Sequence, residues 1–160
     1  RACLAQTLDV PVGEIEGFVG GEHGQDAVPL WSTIKIKKQP LDTYLSSTNK
    51  TVSKEQVTDY IKLVSKQIVD NIGATEYGPA ASFRDITQAI AKNTNELLSV
   101  AVPVQFKDFS EPVFVGLPTY IGNAINVSLF ETLSWQEKED IVQSAKAIYQ
   151  TYTFALESLK

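Results

Sequence analysis

Apolar positions along this chain change period several times, and each change marks an element. Leu4, Ala5 and Leu8 share a helical face, so residues 1–8 read as the end of a helix. Residues 9–13, with Pro11, read as a loop, and residues 15–19 as a strand that runs into the turn Gly20-Gly21-Glu22-His23-Gly24. From Val28 to Lys37 the chain alternates. Ile34 and Ile36 point one way and Lys35 and Lys37 the other, the mark of a strand with one wet face. Residues 39–50 are polar and without period, and read as an irregular surface excursion.

The next two blocks have helical spacing. Ser53 with Gln56 has the form of a capping box, and Val52 and Val57 sit where a hydrophobic staple would be. Val57, Tyr60, Ile61, Val64 and Ile68 follow as a stripe, and Gly73 is a natural stop. Pro79 fits the first turn of a further helix, continued by Ala80, Phe83, Ile86, Thr87 and Ile90 to about Lys92. Residues 98–106 alternate as a strand, with Val100, Val102, Val104 and Phe106 on one side; Pro103 places it at an edge or a bulge. Residues 113–117 read as a short strand, 118–122 as a turn, and 124–130 as a returning strand. Ser134 with Glu137 is a second capping box. It opens a long helix with a buried stripe of Ile141, Ser144, Ala145, Ile148, Tyr152 and Ala155. Paired strands and helices in separate blocks predict a single α+β domain with a mostly antiparallel sheet.

Composition narrows the function classes. At 43% apolar and 21% charged residues the chain has an ordinary globular balance. A net charge of −5, with no basic cluster beyond Lys35-Ile36-Lys37-Lys38, argues against a nucleic-acid partner. There is no apolar run of transmembrane length and no signal-peptide pattern. The lone cysteine, Cys3, has no internal disulfide partner, so the simplest compartment is a reducing, cytoplasmic one. Without a secretion signal, the sequons Asn49-Lys50-Thr51 and Asn126-Val127-Ser128 carry little weight. The first residue is Arg1 rather than methionine, which suggests a chain that begins partway through something larger.

Candidate chemistry centres on His23, the only histidine. Imidazole titrates near neutrality, and flanking glycines let the backbone turn sharply and a flat ligand approach. On spacing alone, His23 reads as an ordinary surface or loop histidine. Glu22 and Asp26 beside it read either as a solvated turn or as a carboxylate pair. One histidine and one distant cysteine do not make a zinc site, so no metal is expected. No serine sits in a nucleophile elbow, and there is neither a P-loop nor a dinucleotide fingerprint.

Four segments together carry a resemblance. Gly21-Glu22-His23-Gly24 followed by Val28-Pro29-Leu30-Trp31-Ser32 resembles the active-site histidine segment of the L-lactate/malate dehydrogenase family. Gly73-Ala74-Thr75-Glu76-Tyr77-Gly78-Pro79-Ala80 is similar to that family's Gly-x-Thr helix start, which faces the substrate. Residues 116–122, Gly-Leu-Pro-Thr-Tyr-Ile-Gly, resemble its late strand and turn, although Asn123-Ala124 stand where a second glycine is usual. Leu133-Ser134-Trp135-Gln136-Glu137-Lys138-Glu139, with Ser144-Ala145, is similar to the opening and middle of its last helix.

The resemblance implies the family's C-terminal, catalytic and substrate-binding domain over residues 1–160, of α+β fold, with a mostly antiparallel sheet packed with long helices. The N-terminal NAD-binding Rossmann domain would then be absent from this chain. It implies NAD-dependent oxidation and reduction of malate/oxaloacetate or lactate/pyruvate. His23 would be the proton donor and acceptor, Thr75 a substrate-binding residue and Pro79 a cofactor-binding residue against the nicotinamide. Thr75 also suits a helix N-cap, and Pro79 an ordinary first-turn proline. The family's substrate-clamping arginine falls just upstream of Arg1, and the aspartate partner of the histidine one turn before it. Both lie outside the chain unless a short deletion makes Arg1 the clamp.

Trp31 and Trp135 read as packing residues, and Arg84 as a helix-surface residue. Expected partners are a small 2-hydroxy or 2-oxo acid, the chain's own N-terminal domain and further copies in a homodimer or homotetramer, with no nucleic acid or membrane. The isolated chain is expected to be inactive. The reading from another class is a non-catalytic oligomerisation or interaction domain. A related hydrolase sharing the fold is disfavoured by the Glu-His-Gly and Pro-Leu-Trp-Ser pairing.

Overall fold

The computed structural model describes residues 1–159, and for residues 65 and 125–127 the backbone alone. The chain begins with helix α1 (Ala2–Leu8) and a 3-10 turn (Val12–Glu14). Strands β1 (Ile15–Gly21), β2 (Ala27–Ile36) and β3 (Gln39–Pro40) follow, then helices α2 (Leu41–Thr48), α3 (Lys54–Ile72) and α4 (Tyr77–Lys92). Strands β4 (Glu96–Val104), β5 (Val113–Ile121) and β6 (Ile125–Ser128) lead to a second 3-10 turn (Leu129–Thr132) and the long helix α5 (Trp135–Glu157). The sheet order is β3-β2-β1-β5-β4, with β6 on the far end of β5, and every described pairing is antiparallel. The predicted α+β class and antiparallel sheet are therefore present.

Several local expectations need correction: the strand expected over 124–130 gives way to a 3-10 turn at Leu129, and Tyr152 and Ala155 of the α5 stripe are exposed. Residues 39–50 are not irregular. Lys37 and Lys38 both take left-handed backbone angles (φ 50° and 65°) and close a two-residue hairpin, with Ile36 opposite Gln39. Such turns normally use Asn or Gly, so a Lys-Lys pair carries no turn signal. The helix after it buries only Leu41 and Tyr44, too few positions to show a period. Nor is 118–122 a turn. The inward positions Val113, Val115, Leu117, Thr119 and Ile121 are all buried, so the alternation continues straight through Pro118. Lastly, Trp135 does not pack: it is 74% exposed at the start of α5. Trp31 does pack, half-buried against a core cluster under the ammonium of Lys54.

Other signals read through directly. Strand β4 is the outermost at its end of the sheet, as Pro103 required, and its register with β5 is unbroken. Gly73 ends α3 with φ 93°. The Ser53 hydroxyl accepts from the Gln56 amide, which is half of the expected box. The stripes on α3 and α4 are amphipathic, but this chain covers them only in part. Val57 is buried, whereas Tyr60, Ile68, Phe83 and Ile90 are exposed.

Two core clusters lie along the sheet. One joins Leu30, Val115, Leu117, Ile141 and Ala145 between the sheet and α5. The other joins Leu8, Ile15, Ile36, Leu41 and Val57 among α1, α2, α3 and the ends of β1 and β2. Between them the β1–β2 ladder is interrupted. Glu16 pairs with Lys35 but Phe18 pairs with Leu30, so residues 31–34 bulge from β2. Side chains replace the lost ladder bonds. Thr33 Oγ1 accepts from the Phe18 amide at 3.2 Å and donates to the Leu30 carbonyl at 2.6 Å.

The Glu137 carboxylate, on a residue 4% exposed, completes this repair. It accepts from the Ser32 amide (2.8 Å) and hydroxyl (2.7 Å), and from the Ser134 amide (2.9 Å) and hydroxyl (2.7 Å). The capping box of α5 is thus also its tie to the β2 bulge. Burial alone would raise the Glu137 pKa, but these four hydrogen bonds outweigh it and hold the carboxyl below its ordinary 4.5. No helix among the described residues is long and apolar enough to cross a membrane.

Replacing Glu137 by Ala strips a cap and leaves the Ser32 amide without its acceptor, an expected loss of about 2–3 kcal/mol in denaturant unfolding. A carboxyl whose native pKa is depressed stabilises the fold above its unfolded value. Wild-type stability should therefore fall as pH drops from 4.5 through the lowered native value, and Glu137→Gln should flatten that part of the profile.

Candidate active site

The chain enters the site on β1 and leaves it on β2. Between Gly21 and Ala27 lie five residues, Glu22 to Asp26, with His23 near their centre. Their backbone is closely tied. The Glu22 amide donates to Ser144 Oγ at 2.6 Å, and the same hydroxyl donates to the Asp26 carbonyl at 2.6 Å. The Asp26 amide donates to Glu22 Oε2 at 3.2 Å, and the Ala27 amide to the Gly24 carbonyl at 3.4 Å. Glu22 therefore braces its own turn rather than forming a catalytic pair with Asp26. The Gln25 amide group reaches the Lys62 carbonyl at 3.5 Å, which lays the turn against the middle of α3.

Two glycines permit this approach. Gly21 has φ 84°, and a Cβ there would lie 2.5 Å from Ser144 Oγ. Gly116 faces Gly21 as the one described register point between β1 and β5, and a Cβ on it would lie 2.9 Å from the Gly21 carbonyl oxygen. The centre of the sheet thus closes where the histidine turn begins.

The His23 side chain is exposed, and among the described residues nothing hydrogen-bonds to it or pairs with it. A fixed backbone with an open ring is what a group needs if it is to meet a ligand or a residue from elsewhere. Thr75 lies exposed in the loop between α3 and α4. It is not the N-cap of α4: that position is Glu76, with no side-chain capping bond. Pro79 is the third residue of α4 and exposed, so its first-turn placement holds. No described contact joins Thr75 or Pro79 to the His23 turn. Arg84 is on the α4 surface, paired with Asp85 at 2.6 Å. Arg1 caps α1, with Nε donating to the Gly17 carbonyl at 3.4 Å.

A cavity of about 50 Å³ lies between Arg1, Leu4, Gly17, Ile34 and Ile61, and a shallow depression lies along Asp42 and Ser46 of α2; neither is lined by His23, Thr75 or Pro79. Among the described residues no group of three or more His, Cys, Asp or Glu side chains could hold a metal ion.

Ser144 is the residue that periodicity concealed. It occupies a position in the buried stripe of α5 where a serine reads as a small filler. The signal was there: a hydroxyl between Ile141 and Ile148, 2% exposed, must find partners when buried.

An antiparallel sheet backed by one long helix, with the sequence's single histidine at the β1–β2 turn, makes this an α+β domain. Residues 1–157 match the family model described as lactate/malate dehydrogenase, alpha/beta C-terminal domain, and the chain belongs to that family. It is 37% identical over its full 160 residues to a malate dehydrogenase of Sulfurisphaera tokodaii, covering 50% of that protein. It is 29% identical over 149 residues to an L-lactate dehydrogenase of Halalkalibacterium halodurans, covering 92% of this chain and 47% of the relative. The crystal structure of Cryptosporidium parvum malate dehydrogenase superposes with a TM-score of 0.85 at 27% identity, over 98% of this chain and 51% of that one. The chain thus spans about half the length of the relatives it matches.

Gly21→Ala should destabilise the protein by about 1–3 kcal/mol, because the new methyl meets both a strained backbone and Ser144. Gly13, with nothing within 4 Å of its would-be Cβ, is the control: Gly13→Ala should stay within about 1 kcal/mol of wild type in the same thermal unfolding series.

Proposed function

We propose that this chain is the catalytic, substrate-binding half of an NAD-dependent 2-hydroxy acid dehydrogenase, with His23 as its proton donor and acceptor. The observation that carries the reading is the His23 turn itself: a backbone held at both ends by Ser144, presenting an open, unpaired imidazole. Family membership supports the reaction class. The malate/oxaloacetate pair is favoured over lactate/pyruvate because the malate dehydrogenase relative matches the whole chain at higher identity.

His23, Thr75 and Pro79 are each exposed, and the sequence holds no glycine-rich phosphate-binding fingerprint. An N-terminal half outside residues 1–160 would hold NAD, which supplies or accepts the hydride at carbon. His23, as imidazolium, gives its proton to the substrate carbonyl oxygen during reduction and takes it back during oxidation. Thr75 would contact the substrate beside it. An arginine and an aspartate from the same N-terminal half would hold the substrate carboxylate and the imidazolium. Exposed Leu63, Ile72, Tyr77 and Phe83 would be covered by that half or by further copies of the chain. The reducing cytoplasm is the proposed compartment, with Cys3 a free thiol.

The test uses the chain joined to its N-terminal half, with NADH oxidation followed against oxaloacetate and pyruvate. His23→Gln should lower kcat/KM by about 10²–10⁴-fold, and residues 1–160 alone should show no turnover. A His23→Gln enzyme as fast as wild type would remove the proton-transfer role. Steady turnover by the isolated chain would remove the division into halves.

A further inference from the structure

We propose that Ser144 is a positioning residue for His23, a hydroxyl that sets where the imidazole stands by fastening both ends of its turn. The proposal rests on the reading of His23 as the proton carrier.

Ser144 lies on α5, far from the turn in sequence, and is 2% exposed. Its Oγ uses both of its capacities on one short segment, accepting from the Glu22 amide immediately before His23 and donating to the Asp26 carbonyl three residues after it. Both contacts are 2.6 Å. A single atom that is donor and acceptor at once admits one arrangement of the two strands of the turn. Alanine supplies neither function, and an amide or carboxylate would not fit beside Gly21, whose would-be Cβ already meets Ser144 Oγ at 2.5 Å. The remaining ties within the turn are longer. The Asp26 amide reaches the Glu22 carboxylate at 3.2 Å, and the Ala27 amide reaches the Gly24 carbonyl at 3.4 Å.

The brace acts on the backbone at both ends of the turn, and the ring has no described partner to hold it from the other side. Loss of the hydroxyl therefore reaches catalysis through the position of the imidazole. A displacement of about 1 Å at a reacting group can cost up to 10²-fold in rate. The charged groups proposed to bind the substrate carboxylate lie elsewhere, so substrate binding is not what this hydroxyl controls.

The experiment compares wild type, Ser144→Ala, His23→Gln and the double variant in the enzyme that includes its N-terminal half. For Ser144→Ala, kcat should fall about 10–100-fold with KM within about threefold, and the solvent deuterium isotope effect on kcat should rise as proton transfer becomes limiting. In the His23→Gln background, Ser144→Ala should cost nothing further, because the residue acts through the ring. Ser144→Cys, which fills the site with a weakly bonding thiol, serves if the alanine variant does not fold, and its kcat should fall in the same way. The proposal is overturned if kcat of the folded variant stays within twofold of wild type, or if the loss is equally large with and without His23. Should His23→Gln itself leave the rate intact, the underlying reading of His23 has failed instead, and the two failures are thereby told apart.

Discussion

The structure depends on one face of one helix. Along α5, Glu137, Ile141 and Ser144 follow at spacings of four and three, so all three point at the sheet within two turns, about 10 Å of helix. The first ties the helix to the β2 bulge through Ser32. The second is a core residue against the glycine-lined end of β1; a Cβ on Gly20 would lie 3.0 Å from Ile141 Cδ1. The third fastens the His23 turn. Polar contacts at both ends of an apolar contact set the rotation and height of the helix together, which a greasy stripe alone would not do.

That arrangement also accounts for the breaks in regularity on the sheet. The β1–β2 ladder slips at residues 31–34, and the slipped amides are satisfied by Thr33 and by Glu137. Beyond the bulge the strands regain register and end on Gly20 and Gly21, where β1 meets β5 at Gly116. The irregular ladder and the close glycine contact thus lie on either side of the same helix-backed patch, and His23 stands at its rim.

Much of this was legible in the residues. The His23 turn, the capping box at Ser134 and Glu137, the Gly73 stop and the edge position of β4 each follow from local chemistry that acts within a few residues. What was hidden depends on distant partners. Ser144 in a stripe of apolar positions is indistinguishable from filler until the turn some hundred residues earlier in the chain is seen against it. The Lys37-Lys38 hairpin uses left-handed angles that the flanking strands and the Glu14 carbonyl impose, with no Asn or Gly to announce them. Stripes on α3 and α4 tell that a face is apolar, not what covers it. Beside Thr75 and Pro79, Tyr77 and Phe83 are largely exposed.

Residue-resolved amide exchange across the His23 turn tests the pinned-turn account most directly. The Glu22 amide, bonded to a buried hydroxyl, should exchange far more slowly than the adjacent His23 and Gly24 amides, which have no described acceptor. Equal, fast exchange at Glu22, His23 and Gly24 would mean that Ser144 does not hold the turn, and would contradict the account.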